Sequence, residues 1–339
     1  MSGNAASSPR PESANDAPRL LEVHDLAVRF DVGPEVVRAV DGVSFTLAAG
    51  EALAIVGESG SGKSATVLGL LGLLPTPPAR VVGGTALFGG RDLLSLSPSE
   101  LRRVRGRRIA MVFQDPATSL NPVLTIGTQL TEGMRTHLGA SAADARARAA
   151  ALLATVGLAG EHRLRAYPHE LSGGQRQRVM IAMALACEPS LLIADEPTTA
   201  LDVTVQAQIV DLLTRLQRTL GMGLVWITHD LALAAACADT MAVMYAGRFV
   251  EVAPVAELLR RPRHPYTLGL LQAAPRWDAP RGERLRAVPG APPDLRCRPR
   301  GCAFAPRCGY AVDRCRAEDP PLQDVGPGHR SACWRWDEL

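Results

Sequence analysis

The sequence predicts an α/β fold in which short buried strands alternate with helices. Residues 51–57, EALAIVG, form an apolar run typical of a buried parallel strand, and residues 63–74, KSATVLGLLGLL, have helical composition. A second apolar run at 190–197, SLLIADEP, ends in two acidic residues. This alternation over residues 20–105 and 186–260 predicts a sheet that binds its ligand at the carboxyl ends of its strands.

Length and composition limit the class of protein. A chain of 339 residues, 47% of them hydrophobic, is long enough for one large domain and a small appended module. The formal charge of +3 is too small to indicate a dedicated nucleic-acid binder. No apolar run is long enough to span a membrane, and residues 1–19 have the composition of a disordered tail instead of a secretion signal. We therefore expect a cytosolic protein.

A glycine-rich turn between the first strand and helix predicts a phosphate-binding loop. The sequence from Gly57 has the pattern Gly-x-x-x-x-Gly-Lys-Ser, in which backbone N–H groups and the helix N-terminus face phosphate oxygens. Lys63 is the only lysine among 37 basic residues, and its compact ammonium suits a tight ring of amides better than a planar guanidinium. Lys63 is expected to contact the β- and γ-phosphates, and Ser64 to ligate Mg²⁺. The predicted nucleotide contacts are Gly57, Glu58, Ser59, Gly60, Ser61, Gly62, Lys63, Ser64 and Ala65.

The two acidic residues that end the second strand are candidates for Mg²⁺ binding and for catalysis. Asp195 is predicted at the Mg²⁺ edge of the site, and Glu196 beside the γ-phosphate, where it would polarise the attacking water. Between the two strands, LSGGQRQRVMIAMALA at 171–186 predicts a helix capped by Ser172. Its glycines leave exposed amides at the positive end of the helix dipole, which suits a second anion contact.

Six motifs in order resemble the ATP-binding subunits of ABC transporters. They are GESGSGKS as Walker A, Gln114 in MVFQDP as the Q-loop, LSGGQ as the signature, LLIADE as Walker B, TALD at 199–202 as the D-loop, and His229 in WITHD as the switch histidine. The resemblance covers about residues 20–255. It implies a P-loop NTPase core of ABC type over residues 20–260, with an inserted helical subdomain at about 106–185.

The resemblance also implies partners and residue roles. Two such chains, identical or paralogous, would dimerise head to tail, so that Ser172, Gly173, Gly174 and Gln175 of one close over the ATP of the other. Gln114 would join Ser64 and Asp195 in binding Mg²⁺, and His229 would hold the γ-phosphate and Glu196. Phe30 is expected either to stack on adenine or to pack in the core.

The last 79 residues, 261–339, resemble the C-terminal region of oligopeptide and dipeptide importer ATPases. HPYT at 264–267 and GCAFAPRC at 301–308 are the matching segments. The resemblance implies a peripheral ATPase at the cytoplasmic face of the membrane, working with two permease subunits and an external solute-binding protein. The expected cargo is a peptide; nickel or another small solute remains the alternative.

Five of seven cysteines lie in the last 43 residues. Cys187 and Cys237 lie in apolar helical runs and are predicted to be core residues. Four thiolates suit an iron–sulfur cluster, although the spacing alone does not exclude zinc. The resemblance to importer ATPases implies a 4Fe-4S cluster, with nearby Arg300, Arg307, Arg314 and Arg316 offsetting the thiolate charge and Cys297 left as an extra thiol. The predicted cluster ligands are Cys302, Cys308, Cys315 and Cys333.

A second class of protein shares the six motifs, namely nucleic-acid-associated ABC ATPases. The chain has one cassette, whereas translation factors of this kind have two. Only residues 64–171, 108 in all, separate Lys63 from Ser172, which leaves no room for a long coiled-coil arm. The arginine clusters are not interleaved with aromatic residues, so nucleic acid is not expected as a partner.

Overall fold

The computed structural model describes residues 19–199, 201–274 and 287–339. The strands are β1 Arg19–Val32, β2 Glu35–Ala48, β3 Ala52–Val56, β4 Ala79–Phe88, β5 Arg91–Asp92, β6 Ile109–Val112, β7 Leu191–Asp195, β8 Gly223–Thr228, β9 Thr240–Tyr245, β10 Arg248–Pro254, β11 Gln323–Gly326 and β12 His329–Ser331. The helices are α1 Lys63–Leu70, α2 Pro98–Val104, α3 Pro116–Ser119, α4 Ile126–Leu138, α5 Ala142–Thr155, α6 His162–Arg165, α7 Gly173–Leu185, α8 Val203–Leu220, α9 Leu231–Cys237, α10 Val255–Arg260, α11 Pro265–Ala273 and α12 Asp313–Ala317. The predicted tail therefore lies outside the described residues except for Arg19, which begins β1.

Two sheets form the frame of the molecule. The larger has the order β11-β12-β10-β9-β3-β8-β7-β6, and its five strands from β9 to β6 are parallel. The strands β3, β7 and β8 are buried along their whole length, which explains why their sequences are apolar throughout instead of alternating. The smaller sheet, β2-β1-β4-β5, is antiparallel, and its long strands alternate buried and exposed residues because one face packs on the core. The α/β prediction is thus confirmed, whereas the antiparallel sheet was not predicted.

The helices α3 to α7 follow β6 and pack against one another. An apolar cluster that includes Ile126, Leu130, Leu153 and Leu164 joins them to the parallel sheet. The helical insertion was predicted at about 106–185, but this boundary is too early. Ile109–Val112 forms a strand that pairs with β7 in the parallel sheet. The helical part begins at α3. Within the described ranges, none of the helices has the length and apolar character that a membrane crossing requires.

The C-terminal region packs on the far end of the larger sheet. The strand β12 pairs with β10, and Phe304 lies among the rings of Tyr245 and Tyr266. The C-terminal region therefore shares a hydrophobic core with the parallel sheet. Elsewhere in the fold, Cys187 and Cys237 are both buried, as their apolar surroundings predicted.

Candidate functional site

The ends of neighbouring parallel strands bring the predicted site residues together. Lys63 follows the loop after β3, Asp195 ends β7 and Glu196 comes next, His229 follows β8, and Gln114 follows β6. Because β6, β7, β8 and β3 are adjacent and parallel, their carboxyl ends meet at one edge of the sheet. The fold thus places side chains from four distant parts of the sequence around one cavity.

The phosphate loop requires glycine at its two ends. Gly57 has φ 156°, and a Cβ there would lie 2.2 Å from the carbonyl oxygen of Met244. Gly62 has φ 109°, and a Cβ there would lie 2.2 Å from the carbonyl oxygen of Ala39. Both positions pass too close to other backbone to accept a side chain, so the two glycines fix the path of the loop.

Lys63 lies inside this loop. Its Nζ donates to the carbonyl oxygens of Gly57 at 2.9 Å and of Glu58 at 3.0 Å. Burial lowers the pKa of the ammonium from its ordinary value, while Glu196 and Asp195 oppose that shift. An ammonium has three N–H donors, so the third is available to a ligand in the loop.

Ser64 and Asp195 form an oxygen pair suited to a small divalent cation. The Ser64 hydroxyl donates to Asp195 Oδ1 at 2.9 Å, and Asp195 is buried. Burial raises the pKa of the Asp195 carboxyl, although this hydrogen bond opposes the shift. Because Mg²⁺ is bound by carboxylate and hydroxyl oxygens together with phosphate oxygens, the chemistry of this pair fits Mg²⁺ accompanying a nucleotide.

Glu196 is held by three side chains. Gln114 Nε2 donates to Glu196 Oε2 at 3.1 Å, and Thr199 Oγ1 donates to the same oxygen at 2.9 Å. His229 Nδ1 lies 3.4 Å from Oε1. Glu196 has φ 45°, a conformation rare outside glycine, and its N–H donates to the carbonyl of Ile227 at 3.0 Å. The resemblance implied that His229 contacts Glu196 and that Gln114 binds Mg²⁺ in the same site. The hydrogen bonds from Gln114 and Thr199 to Glu196 were not predicted, although Thr199 begins the D-loop motif.

A cavity of about 780 Å³ is lined by Lys63, Ser64, Gln114, Glu196 and His229, among others. Phe30 lies on its wall and also packs against the core, so the two expectations for this ring do not exclude each other. Four apolar residues on the wall were not predicted, because no motif marks them: Val37, Ala39, Leu270 and Leu295. The volume and the mixture of apolar wall, ammonium and carboxylates suit a nucleotide.

The predicted signature residues lie outside this cavity. Ser172 caps α7, with its hydroxyl accepting from the Gln175 N–H at 3.4 Å and Gln175 Oε1 accepting from the Ser172 N–H at 3.1 Å. A Cβ on Gly174 would lie 2.7 Å from Val205 Cγ1. In the part of the chain that the structure describes, Ser172, Gly173, Gly174 and Gln175 do not line the cavity around Lys63. The predicted cap of this helix is confirmed.

The four predicted cluster ligands line one small cavity of about 20 Å³, together with His264, Phe304 and other residues. Burial raises the pKa of the Cys302 thiol to about 11 and that of Cys333 to about 12, so both are protonated at neutral pH. Among residues 19–199, 201–274 and 287–339, no group of three or more His, Cys, Asp or Glu side chains is arranged to hold a metal ion. The donor set has the chemistry of a metal site, but its placement does not form one.

The predicted role of the neighbouring arginines is wrong for three of them. Arg307 pairs with Glu58, Arg314 with Glu318, and Arg316 with Asp313. Each of these guanidiniums already has a carboxylate partner, which for Arg314 and Arg316 lies three or four residues away on the exposed surface. Instead, the backbone N–H of Arg335 donates to Cys333 Sγ at 3.4 Å.

Comparison with protein families gives two matches. Residues 40–199 match the ABC transporter family, and residues 250–315 match the C-terminal region of oligopeptide/dipeptide transporters. Among solved structures, a bacterial ABC transporter cassette determined as a dimer, MJ0796, is 29% identical with a TM-score of 0.63, over 69% of this chain and 98% of that one. CbiO1 of Clostridium perfringens, part of an ABC transporter complex, is also 29% identical with a TM-score of 0.61, over 71% of this chain and 91% of that one.

The fold and the loop around Lys63 define a P-loop ATPase of the ABC cassette class. A probable peptide ABC transporter ATP-binding protein of Sinorhizobium fredii is 51% identical over 97% of this chain and 99% of its own length. The oligopeptide transport ATP-binding protein OppD of Salmonella typhimurium is 49% identical over 96% of this chain and 97% of its own length. The chain belongs to the family of peptide ABC transporter ATP-binding proteins.

Proposed function

We propose that this protein hydrolyses ATP to drive the import of di- or oligopeptides through separate membrane permease subunits. The observation that supports the ATPase activity best is that Lys63, Ser64 and Glu196 line one cavity, with Asp195 hydrogen-bonded to Ser64 beside it. The peptide cargo is supported by the names of the relatives and by the match of residues 250–315. Its place on the cytoplasmic face of the membrane is proposed on the same basis.

In the proposed mechanism, each polar group at the cavity has one role. The amides of residues 57–62 and the Lys63 ammonium bind the phosphates, and their charge stabilises the negative charge that develops during transfer. Ser64, Asp195 and Gln114 would bind Mg²⁺, which neutralises the phosphate oxygens. Phe30 would pack against the adenine ring.

Glu196 would act as the base that orients and deprotonates the attacking water. Its carboxylate lies within the cavity and is held from two sides, by Gln114 and Thr199 on Oε2 and by His229 near Oε1. A base held in this way is already oriented when the substrate binds, which reduces the entropic cost of reaching the transition state. His229, which is 61% exposed, would also contact the γ-phosphate.

The active unit would be a head-to-tail dimer. The N-terminal end of α7, with Ser172 and Gly174, presents backbone amides away from the cavity of its own chain. The solved relative MJ0796 is described as a dimeric cassette. In this arrangement, the α7 terminus of each chain would complete the nucleotide site of the other.

An apolar groove is the proposed docking site for the permease. It has a volume of about 330 Å³ between the end of α1, β6, α3 and α7, and its wall includes Leu73, Phe113 and Met183. Leu73 is 38% exposed and Phe113 is 42% exposed. Apolar side chains left open beside Gln114 suit an amphipathic helix from a membrane subunit, and the same loop would report the nucleotide state to it.

We expect Leu73→Glu to abolish assembly with the permease subunits while leaving basal ATP turnover intact. A carboxylate in the groove would have to lose its hydration to be covered by an apolar helix. Copurification of the tagged ATPase with its permeases measures assembly. Leu220→Glu, at another exposed apolar position, at the end of α8, is the matched control. Normal assembly of the Leu73 variant would place the docking site elsewhere.

The transport function is tested with the intact complex in liposomes. We expect ATP hydrolysis to rise when an external binding protein loaded with peptide is present, and labelled peptide to accumulate. Stimulation by nickel or another small solute, but not by peptides, would overturn the peptide assignment. Retention of RNA or DNA in place of permease subunits would favour the nucleic-acid class instead.

We propose, separately, that Cys302, Cys308, Cys315 and Cys333 bind a 4Fe-4S cluster. Support comes from the four sulfur donors on the wall of a single cavity. Binding requires the buried thiols to lose their protons and to move into a common coordination sphere. Cys297 is exposed and is not on this wall, so it remains outside the proposed set.

Anaerobic purification tests the cluster directly. We expect a brown protein with about four iron and four sulfide per chain. Cys302→Ser should lose the iron and the visible absorption, whereas Cys297→Ser, the matched exposed thiol, should keep both. One zinc without iron would identify a zinc site, and a metal-free protein would mean that the four cysteines only pack together.

A further inference from the structure

A buried guanidinium from the C-terminal region reaches the phosphate loop. Arg307 Nη1 donates to Glu58 Oε2 at 2.7 Å, and Arg307 Nη2 donates to Glu58 Oε1 at 2.9 Å. The Arg307 side chain is only 5% exposed. This bidentate geometry gives a strong, directional ion pair between arginine and a carboxylate. The two residues are 249 positions apart in sequence, so the contact joins two separate regions of the chain.

The guanidinium is itself fixed in place. Arg307 Nε donates to the carbonyl oxygen of Pro289 at 2.7 Å, and Nη1 lies 3.3 Å from the Tyr245 hydroxyl. The guanidinium also lies over the rings of Tyr245 and Phe304, at 5.7 and 5.8 Å from their centroids. Arginine is suited to such a site because it stacks on aromatic rings while its N–H groups remain free to donate. Its position is therefore set before any ligand enters the loop.

Glu58 connects this arginine to the lysine of the site. The Glu58 N–H donates to the Tyr266 hydroxyl at 2.8 Å, and its carbonyl accepts from Lys63 Nζ at 3.0 Å. Glu58 also lines the cavity around Lys63. Arg307 and Tyr266 together thus hold both the side chain and the backbone of the second residue of the loop.

We propose that Arg307 is a positioning residue for nucleotide binding, which holds the phosphate loop through Glu58 and neutralises its charge. Without this guanidinium, the Glu58 carboxylate would stand unpaired beside the phosphates and repel them. This role rests on the proposed nucleotide site. It means in addition that the C-terminal region sets the affinity of that site for ATP. Arg307 precedes Cys308, so the same short turn borders both the loop and the cavity of cysteines.

The test separates electrostatic positioning from simple packing. In the full-length protein, Arg307→Gln should raise the dissociation constant of a fluorescent ATP analogue about tenfold. Adding Glu58→Gln to this variant removes the unpaired charge and should restore the constant to within about threefold of the original. If the double variant binds no better than Arg307→Gln, charge at Glu58 is not the cause and the proposal is wrong.

Two controls make every result decisive. Arg316→Gln changes an exposed arginine of the same region and should leave the dissociation constant unchanged. Lys63→Ala should abolish binding of the ATP analogue; normal binding by this variant would mean that the proposed nucleotide site is wrong. If Lys63→Ala loses binding but Arg307→Gln binds normally, only the positioning role of Arg307 is overturned. If Arg307→Gln fails to fold, Arg307→Lys replaces it. This variant keeps the positive charge but loses the bidentate and stacking contacts, so its affinity should fall by less than about tenfold. A loss as large as that of Lys63→Ala would contradict the role in charge neutralisation.

Discussion

Lys63→Arg is expected to lower ATP turnover by about 100-fold or more, although both residues have the same charge. The ammonium lies 2.9 Å from the Gly57 carbonyl and 3.0 Å from the Glu58 carbonyl, inside a loop whose two ends leave no room for a Cβ. A guanidinium is broader and planar, so it would have to push the loop outward. Phosphate release by the purified protein measures the effect.

This substitution is informative because it changes shape and preserves charge. The reverse exchange at an exposed position, Arg316→Lys, is the matched control and should leave turnover unchanged. Thermal unfolding of both variants should be close to that of the parent, since the Lys63 exchange acts on the wall of an open cavity and leaves the apolar core clusters unchanged. Near-normal turnover by a well-folded Lys63→Arg protein would show that the loop accepts either cation, and that the single lysine has no special role in hydrolysis.

Glu196→Gln is expected to reduce hydrolysis by about 10²- to 10⁴-fold while preserving ATP binding. The amide is nearly the same size as the carboxylate, and its oxygen can still accept from Gln114 or Thr199. It cannot take a proton from water. With binding intact and chemistry blocked, ATP-bound chains should accumulate as closed dimers, which size-exclusion chromatography with and without ATP detects.

Glu188 provides a close control for this experiment. It is also a glutamate with positive φ, 53° against 45° for Glu196, but it is exposed and pairs with Arg148. Glu188→Gln should therefore have the strain of the same backbone conformation and show normal turnover without a trapped dimer. If Glu196→Gln neither binds ATP nor dimerises, Glu196 has a structural role in the loop and is not the base.

Local sequence was sufficient to predict the centre of the site. Gly57, Lys63 and Ser64 lie within one strand–loop–helix unit, whose geometry follows from local backbone chemistry. The cap at Ser172 is likewise a local signal and is present. The meeting of Gln114, Glu196 and His229 depended on a resemblance, because parallel strand order cannot be derived from the strands alone.

Other features depend on contacts between distant residues, which leave no local pattern. β6 has only four residues, too few for a periodic signal, and the helical region was therefore predicted to begin before it. Leu295 reaches the wall of the cavity, and Arg307 reaches Glu58, only because the C-terminal region folds back onto the first half of the chain. Such contacts are determined by tertiary packing, and a single sequence does not reveal them.

The pairing of β12 with β10 has a consequence for the solubility of the molecule. An uncovered strand offers unpaired N–H and C=O groups to other chains and so promotes aggregation. Here β12 covers β10, and Oε1 of the fully buried Glu251 is hydrogen-bonded to His329 Nε2 at 2.7 Å. The strand left at the margin, β11, is only four residues long and ends in Gly326, which makes it a poor template for further pairing. The hairpin thus protects this edge of the sheet from intermolecular pairing.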